Sequence, residues 1–93
     1  MPIPEFRIPF DGNILVLGCG SVSQCTVPLL LRHIEVPPDR ITVMDMVDRR
    51  ETIAHAISAG VNFRVGQVTE ENYKSLLAEL LSPGDLFIDL SWN

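Results

Sequence analysis

Residues 13–23 constrain this chain more than any other segment. An apolar run, Asn13 to Leu17, breaks into Gly18-Cys19-Gly20-Ser21-Val22-Ser23 and passes into Leu- and Val-rich sequence at helical spacing, Gln24 to His33. A short continuous apolar run of this kind reads as a parallel strand buried on both faces. A strand that turns at once into a helix needs residues without a β-carbon at the turn, and Gly18 and Gly20 supply them. Pro28 lies inside the helical stretch, where it removes a backbone hydrogen bond and predicts a bend.

The same alternation continues to the end of the chain. Residues 1–12, with three prolines and a Phe-Asp-Gly turn, read as an irregular arm. Pro37-Pro38-Asp39 ends the first helix, and Arg40 to Met46 reads as a second strand. Arg49 to Ala59 has helical spacing and is closed by Gly60, a C-terminal cap. Val61 to Val68 is a third strand with Phe63 and Val65 on one side. Thr69 followed by Glu70 and Glu71 opens a helix that runs to about Leu81: a hydroxyl cap, then acids at the positive dipole end. After the turn Ser82-Pro83-Gly84-Asp85, Leu86 to Leu90 is a fourth apolar strand. Four strands alternating with three helices predict an α/β fold. It is half of a doubly wound parallel sheet of the Rossmann type, β-α-β-α-β-α-β with strand order 3-2-1-4.

Composition excludes several classes of function. Seven basic against twelve acidic residues give a net charge of −5, and no basic run occurs, which argues against nucleic acid and anionic membranes. No stretch approaches the ~18 apolar residues of a membrane span, and the N-terminus lacks the pattern of a secretory signal. A cytoplasmic protein is the expectation. Cys19 and Cys25 lack C-x-x-C spacing and have no histidine at zinc-ligand distance, so they read as free thiols and no metal site is expected. His33 and His55 fall on helices away from the carboxyl ends of the strands and read as surface or packing residues.

Those carboxyl ends are where ligands bind in open α/β sheets, and the chemistry concentrates there. Gly18 permits the turn out of the first strand, and Gly20 lets the backbone approach a pyrophosphate. Ser21, Val22 and Ser23 lead into the helix, whose N–H groups face the phosphates. The third position of the G-x-G-x-x-G pattern is Ser23, a small residue in place of glycine. Asp45, at the end of the second strand and 27 residues after Gly18, is a carboxylate for the ribose hydroxyls. It favours NAD over NADP because it repels a 2′-phosphate. Asp48 is its rival but reads as a helix cap, and Arg49 and Arg50, which would offer a 2′-phosphate a partner, read as solvated first-turn residues. Gln67 and Val68 are expected beside the adenine, Leu90 and Ser91 over the ribose and pyrophosphate. A methyltransferase using S-adenosylmethionine would want an acid and a third glycine where Val16 and Val22 stand. A non-catalytic nucleotide-sensing module is the other alternative, since fold does not fix function.

Three phrases, Leu17–Gln24, Thr42–Met46 and Phe87–Asn93, resemble the bacterial homospermidine synthases, a branch of the saccharopine dehydrogenase-like group. The resemblance implies an enzyme of polyamine biosynthesis that uses NAD as a recycled cofactor. Putrescine is oxidised to an imine, its aminobutyl group is transferred to a second putrescine (or comes from spermidine), and the hydride returns. It implies a homodimer, with Gly18, Gly20, Ser21, Val22 and Ser23 matching the pyrophosphate loop and Asp45 the ribose carboxylate. A saccharopine dehydrogenase-like oxidoreductase with another substrate is the alternative within the group. The polyamine-binding groups would lie beyond Asn93, so no catalytic residue is named. Residues 1–93 are expected to be the N-terminal part of an NAD-binding domain, inactive without the rest of its parent protein.

Overall fold

The computed structural model describes residues 7–90. Its elements are β1 (Ile8–Pro9), β2 (Ile14–Leu17), α1 (Ser21–His33), β3 (Ile34–Glu35), β4 (Ile41–Asp45), α2 (Ala54–Ala59), β5 (Asn62–Val65), α3 (Tyr73–Leu80) and β6 (Leu86–Asp89). The main sheet is four-stranded, in the order β5-β4-β2-β6, and every pairing in it is parallel. Counted along the chain, that is the expected order 3-2-1-4. The segment expected as an irregular arm is more ordered in its described part, because Ile8–Pro9 pairs in parallel with Ile34–Glu35. Arg7 reinforces this pairing by donating from Nη2 to the carbonyls of Leu31 and Ile34, at 2.9 and 2.8 Å, at the end of α1.

Period-2 alternation assigns the two faces of the sheet. Ile14 and Val16 of β2 lie level with Ile41 and Val43 of β4. They join Val27 of α1, Ile53, Ala56 of α2, Val36 and Val61 in one buried apolar cluster. Leu15 and Met44 turn to the opposite face and are also buried. There Arg64 of β5 ion-pairs with Glu79 of α3 at 3.0 Å, which places α3 over that face. Two helices on one face and one on the other follow from right-handed crossovers that run outward from β2 and then return past it.

The helix ends show where local chemistry prevails. Gly60 adopts φ +117°, and the N–H groups of Gly60 and Val61 reach the carbonyls of Ile57 and Ala56, a Schellman closure of α2. The expected helix over 49–59 begins instead as a 3₁₀ turn, Arg50–Ile53. Both the backbone N–H and the hydroxyl of Thr52 bond to the Arg49 carbonyl, tightening that turn to i→i+3 spacing. Thr69 acts as expected, its hydroxyl accepting the Asn72 N–H while the Asn72 side chain accepts the Thr69 N–H, although regular helix starts only at Tyr73. Pro28 sits within an uninterrupted α1. Pro28 and Gln24 are both exposed, so the missing hydrogen bond falls on the solvent side of α1.

Candidate functional site

β2 delivers the chain into the glycine turn at the carboxyl edge of the sheet. Gly18 has φ +98°, a conformation other residues adopt only with strain, and its N–H donates to the Met44 carbonyl at 2.7 Å. The turn is thereby docked on the neighbouring strand. Gly20, the residue before α1, has extended backbone (φ −94°), so its lack of a side chain has another explanation. A β-carbon built there meets no atom within 4 Å and would project into open space. That is the space a ligand lying against the backbone would occupy. No side chain caps α1, and its first turn carries no acidic residue, which leaves its N-terminal N–H groups without a competing carboxylate.

Asp45, at the end of β4, accepts the Cys19 N–H at 2.8 Å on Oδ2 and the Val47 N–H at 3.0 Å on Oδ1. Arg49 approaches the same Oδ2 with Nε at 3.7 Å. Partial burial by itself would raise the carboxyl pKa. The N–H bonds from Cys19 and Val47, with the Arg49 charge, outweigh it and hold the group below the usual aspartate value. An ionised carboxylate has about four acceptor sites, so these contacts leave capacity for further hydroxyl donors.

The turn, Asp45 and the end of β5 enclose a crevice of about 500 Å³. Gly18, Gly20 and Ser21 line one wall and Asp45, Met46 and Arg49 another. Gly66, Gln67 and Val68 close it on the β5 side, and Leu90 on the β6 side. Two backbone bonds set these rims, Gly66 N–H to the Asp45 carbonyl at 2.9 Å and Leu90 N–H to the Leu17 carbonyl at 2.8 Å.

The structure therefore brings Gly18, Gly20, Ser21, Asp45, Gln67, Val68 and Leu90 together. It does not bring Val22 or Ser23 to the crevice lining. Val22 is on an exposed part of α1, and Ser23 is fully buried with its hydroxyl donating to the Gly18 carbonyl. Ser23 thus braces the turn from beneath, the task of close packing usually given to glycine at that position. Ser91 and Trp92 lie outside the described residues. Asp48 accepts the Arg50 N–H at 3.1 Å from one residue before the N-cap position of the 3₁₀ turn, which is Arg49, so it closes an Asx-type turn there and not the cap itself.

Five lining residues were not among those expected there: Leu17, Cys19, Met46, Arg49 and Gly66. Arg49, read as a solvated residue, lines the crevice, and the signal was its i+4 spacing from Asp45. Met46 and Gly66 line it as well, each next to a strand terminus. Cys19 is fully buried with Sγ 3.5 Å from the Thr52 hydroxyl, and Cys25 is exposed and unpaired. Among the described residues, no acidic, cysteine and histidine side chains cluster as metal ligands, and no helix is long and apolar enough to cross a membrane.

Known proteins fit this geometry. The sequence profile of the family described as "Saccharopine dehydrogenase NADP binding domain" matches residues 14–93. The homospermidine synthase of Blastochloris viridis is 38% identical over 80% of this chain, and that of Mesorhizobium japonicum 37% over 78%. The chain spans 15% of the length of each. The crystal structure of a homospermidine synthase from Legionella pneumophila in complex with NAD superposes with a TM-score of 0.79. It is 28% identical, and the match covers 89% of this chain and 18% of that one. The glycine turn, the acid at the end of β4 and the 3-2-1-4 parallel sheet all lie within the matched residues, and the chain belongs to the saccharopine dehydrogenase NADP-binding domain family.

Proposed function

We propose that this chain is the NAD-binding portion of a homospermidine synthase. The observation that carries the reading is the bond from the Cys19 N–H to Asp45, which sets a phosphate-type glycine turn and a ribose-type carboxylate on two walls of one crevice. Gly18, Gly20 and Ser21 would take the pyrophosphate against the α1 N-terminus, with Val22 and Ser23 shaping that turn. Asp45 would accept the ribose hydroxyls, Gln67 and Val68 would flank the adenine, and Leu90 and Ser91 would cover the ribose and pyrophosphate. The open space beyond Gly20 supports this fit. When bound, NAD supplies a hydride acceptor that can return the hydride later.

The named activity of the relatives supports a polyamine substrate for the longer protein, and we assign putrescine, a homodimeric assembly and the cytoplasm to it. The 93 residues hold the cofactor half of that chemistry. Homospermidine formation by the 93-residue chain alone would overturn this division of labour.

Calorimetric titration with NAD, and with S-adenosylmethionine as comparison, tests the site. NAD is expected to bind and S-adenosylmethionine not to. Gly20→Asp is expected to abolish NAD binding, because it sets a side chain and a negative charge where the pyrophosphate sits, and its backbone conformation needs no glycine. Unchanged affinity in G20D would remove the assignment.

A further inference from the structure

Cys19, the residue between the two glycines of the turn, is fully buried and belongs to the apolar cluster beneath it. A buried cysteine can serve as a small apolar side chain and nothing more. Here its sulfur lies 3.5 Å from the Thr52 hydroxyl. That hydroxyl has one proton and donates it to the Arg49 carbonyl at 2.8 Å. The thiol is therefore the donor in its contact with Thr52, and the hydroxyl oxygen the acceptor. The Cys19 backbone N–H donates to Oδ2 of Asp45 at 2.8 Å, and Nε of Arg49 lies 3.7 Å from the same oxygen. These contacts close into a ring. It runs from the Cys19 thiol to Thr52, on to the Arg49 carbonyl, through the Arg49 side chain to Asp45, and back to the Cys19 N–H. Both walls of the crevice are in it, the glycine turn through Cys19 and the opposite wall through Asp45 and Arg49.

We infer that Thr52 is a positioning residue for the dinucleotide, holding the glycine turn in register with the Asp45–Arg49 wall through the Cys19 thiol. This rests on the dinucleotide reading of the crevice. Thr52 lies outside the crevice lining and acts only through its neighbours. Its backbone N–H and its hydroxyl both donate to the Arg49 carbonyl, which fastens the 3₁₀ turn and leaves a hydroxyl lone pair for the thiol. The glycines on either side of Cys19 make the turn easy to deform. Asp45 tethers it at a backbone N–H, and Thr52 tethers it at a side chain. Two tethers fix an orientation where one leaves a rotation free. A turn already held in its binding orientation spares the ligand the cost of ordering it. The residue between the glycines is thus specified by the second tether.

The test is calorimetric titration of the full 93-residue chain with NAD, in the wild type, Thr52→Val, Thr52→Ser, Cys19→Ala and the double variant Cys19→Ala/Thr52→Val. Thermal melts establish that each is folded. Thr52→Val keeps the shape and removes the hydroxyl, and is expected to weaken NAD binding by about three- to tenfold, the worth of one hydrogen bond. Thr52→Ser returns the hydroxyl and is expected to restore the affinity. Cys19→Ala is expected to lose as much as Thr52→Val, and the double variant no more than either, because both remove the same link. Alkylation with iodoacetamide gives a readout that needs no nucleotide. The exposed Cys25 is expected to react promptly, whereas the buried Cys19 reacts only as the turn opens, and faster in Thr52→Val than in wild type. If Thr52→Val does not fold, Cys19→Ala set against Cys19→Ser, which keeps a donor, makes the same comparison. A folded Thr52→Val or Cys19→Ala with wild-type affinity would overturn the positioning role while leaving the NAD site standing. So would a Thr52→Ser that falls as far as Thr52→Val, additive losses in the double variant, or an unchanged Cys19 alkylation rate in Thr52→Val. A wild type that binds no NAD would remove the dinucleotide reading itself.

Discussion

Asp45 accepts a hydrogen bond from the backbone N–H of Cys19 across 26 residues of sequence, at 2.8 Å, and so fastens the end of β4 to the glycine turn that follows β2. The bond has two roles. It ties the turn to the neighbouring strand end, and it is one of the contacts that favour the ionised carboxylate beside the proposed ribose position.

A pH dependence follows from that second role. Burial works to raise the Asp45 pKa, but the Cys19 and Val47 N–H bonds and Arg49 lower it on balance. A carboxylate depressed in the folded state contributes stability that is fully present above its unfolded pKa and is lost as pH falls through the folded value. Stability and NAD affinity are therefore both expected to be flat at neutral pH and to decline together in acid. An NMR titration of the Asp45 carboxyl carbon should show a midpoint below that of an unstructured aspartate, and a midpoint above it would contradict the geometry.

Gly18 and Gly20 should respond differently to alanine. Gly18→Ala forces a β-carbon onto a residue at φ +98°, which should cost about 1–3 kcal/mol of stability. Gly20→Ala meets open space at an ordinary φ and should leave the melting temperature nearly unchanged while weakening NAD binding. Denaturant titration and calorimetry on the two variants separate a structural glycine from a ligand-facing one.

Ser23→Ala should destabilise the chain by about 1–3 kcal/mol, since the Gly18 carbonyl loses its buried donor and water cannot replace it. The loss should appear in urea unfolding as a lower midpoint at unchanged slope. A neutral result would mean that the hydroxyl does not brace the turn.

Asp85 closes the turn before β6 with both carboxylate oxygens, Oδ1 accepting the Asn13 N–H and Oδ2 the Ser82 N–H, each at 2.8 Å. These two bonds draw its pKa below the ordinary aspartate value. Asp85→Asn replaces one acceptor by an NH₂ that faces a donor, so its melting temperature should fall below wild type at neutral pH. The sign is that of a depressed carboxylate, so the difference should shrink as acid protonates the wild-type group. A gap between the two melts that stays constant into acid would show that the charge is irrelevant to the turn.

Much of this was legible from residues in order. Ile14–Leu17 announces a two-sided buried strand because every position in it is apolar. Gly60 announces a helix end because only glycine is comfortable at φ +117°. Thr69 announces a helix start because its hydroxyl and the Asn72 side chain satisfy each other's backbone donors locally. The two-residue pairing of Ile8–Pro9 with Ile34–Glu35 was not legible, since so short a segment carries no periodicity. Nor was the 3₁₀ start at Arg50–Ile53, which depends on where the Thr52 hydroxyl points.

The sequence by itself determined the order of elements, the parallel sheet, the glycine turn and the presence of an acid at the end of β4. Each of these follows from local conformational preference or from which faces of an element are apolar. Only the tertiary structure decided that Asp45 meets the Cys19 N–H, that Ser23 bonds inward to Gly18, and that Arg49 stands in the crevice while Arg50 is drawn away to Asp48 and Phe63. Periodicity records which face of an element is apolar. It does not record which atoms two strands, distant in sequence, bring within hydrogen-bond reach once their register is set.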